Sequence, residues 1–103
     1  KAGIRTLTRS LAATLAHTGI TVNSISPGLT HSTGPERWLR GIAAAQGWSD
    51  DWAEIRAIVE RDMIKNFNGK MGEPADIAHA VAFLADPRGG QVNAIDIVID
   101  GGH

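Results

Sequence analysis

The chain has 103 residues, no cysteine, and a formal net charge of -1 from ten basic and eleven acidic side chains. That length allows one small domain, the lack of cysteine excludes disulfides, zinc fingers and a cysteine nucleophile, and the charge balance offers nothing to nucleic acid or an anionic membrane. Hydrophobic residues make up 43% and charged residues 20%, no apolar run approaches the roughly 20 residues that span a bilayer, and no signal-peptide pattern opens the chain, so a cytoplasmic protein is expected.

A helix is expected over residues 1–17. Ile4, Leu7, Leu11 and Leu15 recur at spacings of 3, 4 and 4, which line one helical face. Ala2, Ala12, Ala13 and Ala16 widen that face with small side chains suited to close packing, and Lys1, Arg5 and Arg9 form a second line. His17 falls in the expected last turn, where a cation suits the helix dipole. Gly19 supplies the left-handed stop. No capping residue precedes Ala2, so the chain is expected to be the C-terminal part of something longer.

Ile20 to Gly28 reads as a strand with a turn at its end. Ile20, Thr21, Val22 and Ile25 are β-branched. Pro27 cannot donate to a ladder and ends the strand. Gly28 lets the backbone turn or lets something approach closely. In open α/β sheets ligands sit outside the carboxyl ends of the strands, so the Pro27-Gly28 turn is the expected ligand-facing feature.

Residues 29–34 read as loop. Pro35 at the first helical position and Glu36 in the first turn open a second helix with Trp38, Leu39 and Ile42, closed by Gly47. Ser49 is the expected cap of a third helix, in which Trp52, Ile55, Val59 and Met63 follow at spacings of 3, 4 and 4. A fourth helix starts at Pro74, carries Ile77, Val81 and Leu84 as its buried stripe, and stops at Asp86-Pro87. Residues 94–99 read as a second strand, and Asp100-Gly101-Gly102 turns out of it. A long helical connection between two strands is what parallel pairing requires. Residues 35–67 exceed a minimal crossover and read as a helical lid. With no repeat, no low-complexity tract and no linker, residues 1–103 form one domain piece.

His17, His31, His79 and His103 lack metal-ligand spacing, and Asp50-Asp51 reads as a helix start, so no metal site is expected. His31 reads as a solvent-exposed loop residue. Leu11 to Gly28 superficially resembles a helix-turn-helix. Its second half, however, holds the weak helix formers Thr21, Val22 and Ile25, ends at Pro27, and has no Arg or Lys for phosphates or bases. No nucleic-acid partner is expected.

Several runs then come in order. They are Lys-Ala-Gly-Ile (1–4), Leu-Thr-Arg-Ser-Leu-Ala (7–12), Gly-Ile-Thr-Val-Asn-Ser-Ile-Ser-Pro-Gly (19–28), Gly-Glu-Pro-Ala-Asp-Ile-Ala (72–78), Val-Ala-Phe-Leu-Ala (81–85) and Ile-Asp-Gly-Gly (99–102). Together they resemble the C-terminal part of the short-chain dehydrogenase/reductase family, in particular its 3-oxoacyl-carrier-protein-reductase-like members. The resemblance covers nearly the whole chain. It implies an α/β fold, the C-terminal portion of a Rossmann-type doubly wound parallel sheet with a helical substrate lid. It also implies NAD or NADP across the sheet, and hydride transfer between the nicotinamide and a carbonyl or secondary alcohol.

By that resemblance Lys1 matches the Lys of the family's Tyr-x-x-x-Lys pair, which holds the nicotinamide ribose and favours the phenolate of the Tyr. The Tyr would lie four residues earlier, and this chain contains none, so the fragment alone is not expected to be active. Pro27, Gly28, Leu29, Thr30 and Ser32 match the family's nicotinamide wall. The family often has Ile or Val where Thr30 stands, Thr where Ser32 stands, and Thr-Gly where Asn93-Ala94 stand. Trp38 and Trp52 are candidate substrate contacts on the lid. A homodimer or homotetramer acting on a small carbonyl or alcohol is implied. The competing reading is a family member that has lost catalysis and serves as a binding or scaffold subunit.

Overall fold

The computed structural model describes residues 2–103; Lys1 lies outside the described residues. The element order is α1 (Ala2–Thr14), β1 (Ser24–Pro27), α2 (Thr33–Gln46), α3 (Trp52–Asp62), α4 (Pro74–Ala85) and β2 (Asp96–Ile99), with a 3-10 turn at Pro87–Gly89. The chain divides into two units. One holds the residues up to Ser26 together with Ala75–Ile99, and the other holds Pro27–Pro74 with Asp100–His103.

In the first unit β1 and β2 pair as the parallel two-stranded sheet that the helical crossover requires. The extended segment rules out the helix-turn-helix alternative, because no recognition helix forms between Gly19 and Gly28. Both strands are shorter than their β-branched runs predict. Ahead of β1, side-chain amides replace part of the ladder: the Val22 N–H donates to Asn93 Oδ1 (2.9 Å), and Asn23 Nδ2 donates to the Val92 carbonyl (3.1 Å). The backbone of Ala94 still donates to the Val22 carbonyl at 2.9 Å, but Ala94 does so at φ 61°, in the left-handed region.

Asp96 opens β2 and fastens the sheet to α1. Its Oδ1 accepts both serine hydroxyls of β1, Ser24 at 2.7 Å and Ser26 at 2.8 Å, since residues two apart share a strand face. Its Oδ2 lies 3.2 Å from Arg5 Nε without a well-aligned hydrogen bond. The serine hydroxyls, and then Arg5, hold the Asp96 carboxyl below the usual carboxylate range.

Helix α1 ends earlier than expected. After Thr14 the chain leaves through tighter turns, Ala16 N–H to Ala13 and Thr18 N–H to Leu15, so His17 sits outside the helix at φ 64° rather than in its last turn. Its buried residues are Thr8 and Ala12, not the predicted Ile4, Leu7 and Leu11, which stay exposed. The Thr8 hydroxyl is satisfied by the Ile4 carbonyl at 2.8 Å. Helix α4 likewise buries none of its predicted stripe, and Val81 is exposed. Periodicity found the apolar faces; it could not say what covers them.

The second unit has its own core, in which Leu39 and Ala43 of α2 meet Ile55 and Val59 of α3, with Met71 beneath and Ile42, Trp48, Trp52 and Ile64 packed around. Spacings of four residues put each pair on one helix face. Gly47 closes α2 at φ 73°, donating its N–H to the Ala43 and Ala44 carbonyls, as its position predicts. Two starts differ from expectation. Helix α2 begins at Thr33 with Ser32 as its N-cap, so Pro35 occupies the third helical position, where a missing N–H also goes unused. Helix α3 is capped by Asp51; Ser49 instead accepts the Asp51 N–H at 3.1 Å in the turn before it.

Candidate functional site

The Pro27-Gly28 turn at the end of β1 opens the second unit, and Asp100, which Gly28 approaches, belongs to that unit as well. Gly28 is needed for close approach: a Cβ there would come within 2.7 Å of the Asp100 Cβ. Asp100, Gly101 and Gly102 form a second turn with φ 75° and 85° at the glycines, and the Asp100 carboxylate accepts the Gly102 N–H at 2.9 Å. That turn is docked on residues 66–68. Asn66 Nδ2 donates to the Asp100 carbonyl at 2.8 Å, Phe67 N–H to Gly102 at 2.9 Å and Asn68 N–H to Gly101 at 3.1 Å. An open pocket of about 280 Å³ lies here, lined by Gly28, Leu29, Met63, Asn66, Asp100 and His103 among others.

Beyond Gly28 the chain pairs with the segment before α4. Thr30 and Gly72 form an isolated parallel bridge, with the Gly72 N–H donating to Leu29 at 2.9 Å and the His31 N–H donating to Gly72 at 2.8 Å. The Thr30 hydroxyl folds back to the Gly28 carbonyl at 3.0 Å. Ser32 caps α2 by position only; its side chain makes no capping bond and is exposed. Pro27, Gly28, Leu29, Thr30 and Ser32 thus form one continuous edge, braced by Gly72 and Asp100. Lys1 falls outside the described residues.

His31 is not the solvent-exposed loop residue that the sequence suggested. Its side chain is 29% exposed, its Nε2 lies 3.0 Å from Glu36 Oε1, and its Nδ1 lies 3.7 Å from Glu73 Oε2. Its ring stacks on Trp52, with centroids 5.0 Å apart and planes inclined by 19°. Trp52 therefore adjoins the edge through His31 while also packing on the core. Arg40 lies 5.7 Å from the Trp52 ring centre. Trp38 stands 59% exposed on α2 and makes no part of this cluster, whereas Trp48 packs against the core.

The charges around His31 are paired in series. The His31 hydrogen bond, and then Arg40 at 3.6 Å, hold the Glu36 carboxyl below its ordinary range. Glu73 forms a close ion pair with Arg56, which raises the guanidinium further above its already high value, and Arg56 Nε also reaches Glu60 at 3.0 Å. Glu60 in turn accepts the Met71 N–H at 3.1 Å. Reading along the chain missed Asn66, Glu36 and Glu73 as partners of the site. Asn66-Phe67-Asn68-Gly69 read only as a helix exit, and the one local signal for Glu73 was its place between Gly72 and Pro74.

The family profile described as enoyl-(acyl carrier protein) reductase matches residues 1–103. The chain is 36% identical, over 99% of its length, to 36% of 2-(S)-hydroxypropyl-CoM dehydrogenase 3 of Xanthobacter autotrophicus. It is 33% identical, again over 99% of its length, to 37% of the vibriobactin-specific 2,3-dihydro-2,3-dihydroxybenzoate dehydrogenase of Vibrio cholerae. The NADPH-bound structure of a short-chain oxidoreductase with an atypical catalytic centre, from Pseudomonas aeruginosa, superposes with a TM-score of 0.77 at 33% identity, covering 98% of this chain and 35% of that one. The chain spans little more than a third of the length of the curated relatives it matches. It belongs to the short-chain dehydrogenase/reductase family of oxidoreductases, of which it is a C-terminal portion.

Proposed function

We propose that this chain supplies the nicotinamide-facing wall and the substrate lid of an NAD(P)-dependent enzyme that moves a hydride between the cofactor and a carbonyl or secondary alcohol. The observation that carries this reading is the Pro27-Gly28 turn at the carboxyl end of β1, continued by Leu29–Ser32, in a chain of an oxidoreductase family. The residues present fit a nicotinamide. Leu29 is 39% exposed and gives the edge an apolar surface for a flat ring. The exposed Ser32 hydroxyl, unused as a cap, is available to a carboxamide. When bound, the cofactor gives or takes the hydride.

The chain's own residues then divide the work. Pro27 and Gly28 turn the backbone out of the strand, and Leu29 and His31 pair with Gly72 through two backbone hydrogen bonds. Lys1, by its place in the Lys-Ala-Gly run, holds the ribose hydroxyls and supplies the positive charge that keeps a neighbouring phenolate ionised. Helices α2 and α3 form the lid, with Trp38 and Trp52 as its aromatic surface.

The test uses the full-length protein. NADH and NADPH are titrated by dihydronicotinamide fluorescence, and oxidation is followed with a panel of ketones. Binding of one cofactor and ketone-dependent oxidation are expected, with loss of oxidation in Lys1→Ala. Failure to bind either cofactor overturns the reading, and full activity in Lys1→Ala overturns the role of Lys1.

A further inference from the structure

We propose that His31 is a positioning residue that fixes the angle of the cofactor-facing edge, Leu29–Ser32, against the lid helices; the proposal rests on the reading above. The His31 side chain touches three separate segments. Nε2 meets Glu36 in the first turn of α2 at 3.0 Å, Nδ1 faces Glu73 ahead of α4 at 3.7 Å, and the ring stacks on Trp52 at the start of α3 at 5.0 Å. With Glu36 ionised, the imidazole must be the donor in the shorter contact. The Nε2 hydrogen bond to Glu36 and the stack on the Trp52 indole set the direction and plane of the imidazole, with Nδ1 on the side of Glu73.

Each of these partners is itself held. Glu36 also meets Arg40 at 3.6 Å, and Arg40 lies 5.7 Å from the Trp52 ring centre. Glu73 pairs with Arg56, which is anchored to Glu60 at 3.0 Å, and Glu60 binds the Met71 N–H. The frame around His31 is therefore set by contacts that His31 does not make. Nor is His31 needed to join α2 to α3, since Leu39, Ala43, Ile55 and Val59 already do so. What the side chain adds is the placement of its own backbone, next to Thr30 and Ser32. A binding edge is useful only when it is held to within a fraction of an ångström by supporting contacts of this kind.

The experiment compares full-length wild type, His31→Ala and His31→Gln by NADPH and NADH titration, with far-UV circular dichroism and thermal midpoint measured alongside. Gln keeps a donor for Glu36. His31→Ala is expected to weaken cofactor binding about tenfold with an unchanged spectrum, and His31→Gln to stay within about threefold of wild type. Wild-type binding in His31→Ala overturns the proposal, as does an equal loss in both variants. If His31→Ala does not fold, His31→Gln decides alone: near wild-type binding supports the role and a tenfold loss overturns it. A wild type that binds neither cofactor removes the functional reading itself, and with it this proposal.

Discussion

Gly28 and Asp100 lie so close that a methyl group on Gly28 would come within 2.7 Å of the Asp100 Cβ and 2.9 Å of its Cα. The contact joins the turn that leaves β1 to the turn that leaves β2. A side chain at Gly28 must push one of these turns away. Gly28→Ala in the full-length protein is expected to lower stability by about 1–3 kcal/mol, the usual cost of overpacking. Cofactor binding should weaken along with it. A variant with the wild-type urea midpoint would show that the turns separate freely.

This relationship was half legible in the sequence. Gly28 announced either a turn or a close approach, but the residue that approaches it lies 72 positions away. Strands, helices and their order followed from β-branched runs, from spacings of three and four, and from Gly47 and Pro74, all of which are local signals. The failures have a common origin. Ile4, Leu7 and Leu11 make an apolar face, but burial depends on a partner, and in this chain Thr8 and Ala12 are the residues covered. His31 looked like a loop residue because its three contacts come from Glu36, Trp52 and Glu73, and only the first is near in sequence. The short strands reflect Asn23 and Asn93, whose amides take over pairing that the backbone would otherwise make.

Ala94 holds a backbone conformation that ordinarily favours glycine. Its φ of 61° puts a Cβ in the left-handed region, against the following carbonyl. The position is held because the Ala94 N–H donates to Val22 and the next residue's N–H to Asn23 Oδ1. Ala94→Gly removes the clash at some cost in unfolded-chain entropy. A net gain of about 0.5–1 kcal/mol is expected in thermal or urea unfolding. A loss of stability would mean that the Ala94 methyl group packs favourably enough to outweigh the backbone strain.

Asp96 makes the first unit sensitive to acid. Ser24, Ser26 and Arg5 favour its ionised form in the folded state and are absent in the unfolded one, so its folded pKa is depressed. The sign follows: its contribution is fully present above the unfolded carboxylate value of about 3.9 and is lost as pH falls through the lower folded value. Asp96→Asn keeps an acceptor for the serines but cannot carry the charge that faces Arg5. The variant should be less stable than wild type at neutral pH, and the two should converge below about pH 4. Unfolding midpoints measured from pH 7 downward decide it; curves that stay parallel throughout would remove Asp96 as the cause.

Asn66 holds the Asp100-Gly101-Gly102 turn with its side-chain donor, alongside the backbone N–H groups of Phe67 and Asn68. Its Nδ2 serves two carbonyls, Lys70 at 2.9 Å and Asp100 at 2.8 Å, while its Oδ1 accepts the Lys70 N–H at 3.2 Å. The two functions can be separated. Asn66→Asp keeps the acceptor for Lys70, loses the donor, and sets a negative charge against two carbonyl oxygens. Asn66→Ala loses both without adding repulsion. Net losses of about 1–2 kcal/mol are expected for Ala, since two carbonyls and one N–H lose their partner in a half-buried site. Asp should cost at least as much despite being the closer isostere, because an unpaired charge beside carbonyls is costlier than a gap. Both variants should also loosen Gly28, whose neighbour Asp100 loses one of the bonds that dock its turn, and so raise the dissociation constant of the cofactor. An Asp variant more stable than the Ala variant would show that the Lys70 contact, rather than the bond to Asp100, is what Asn66 contributes.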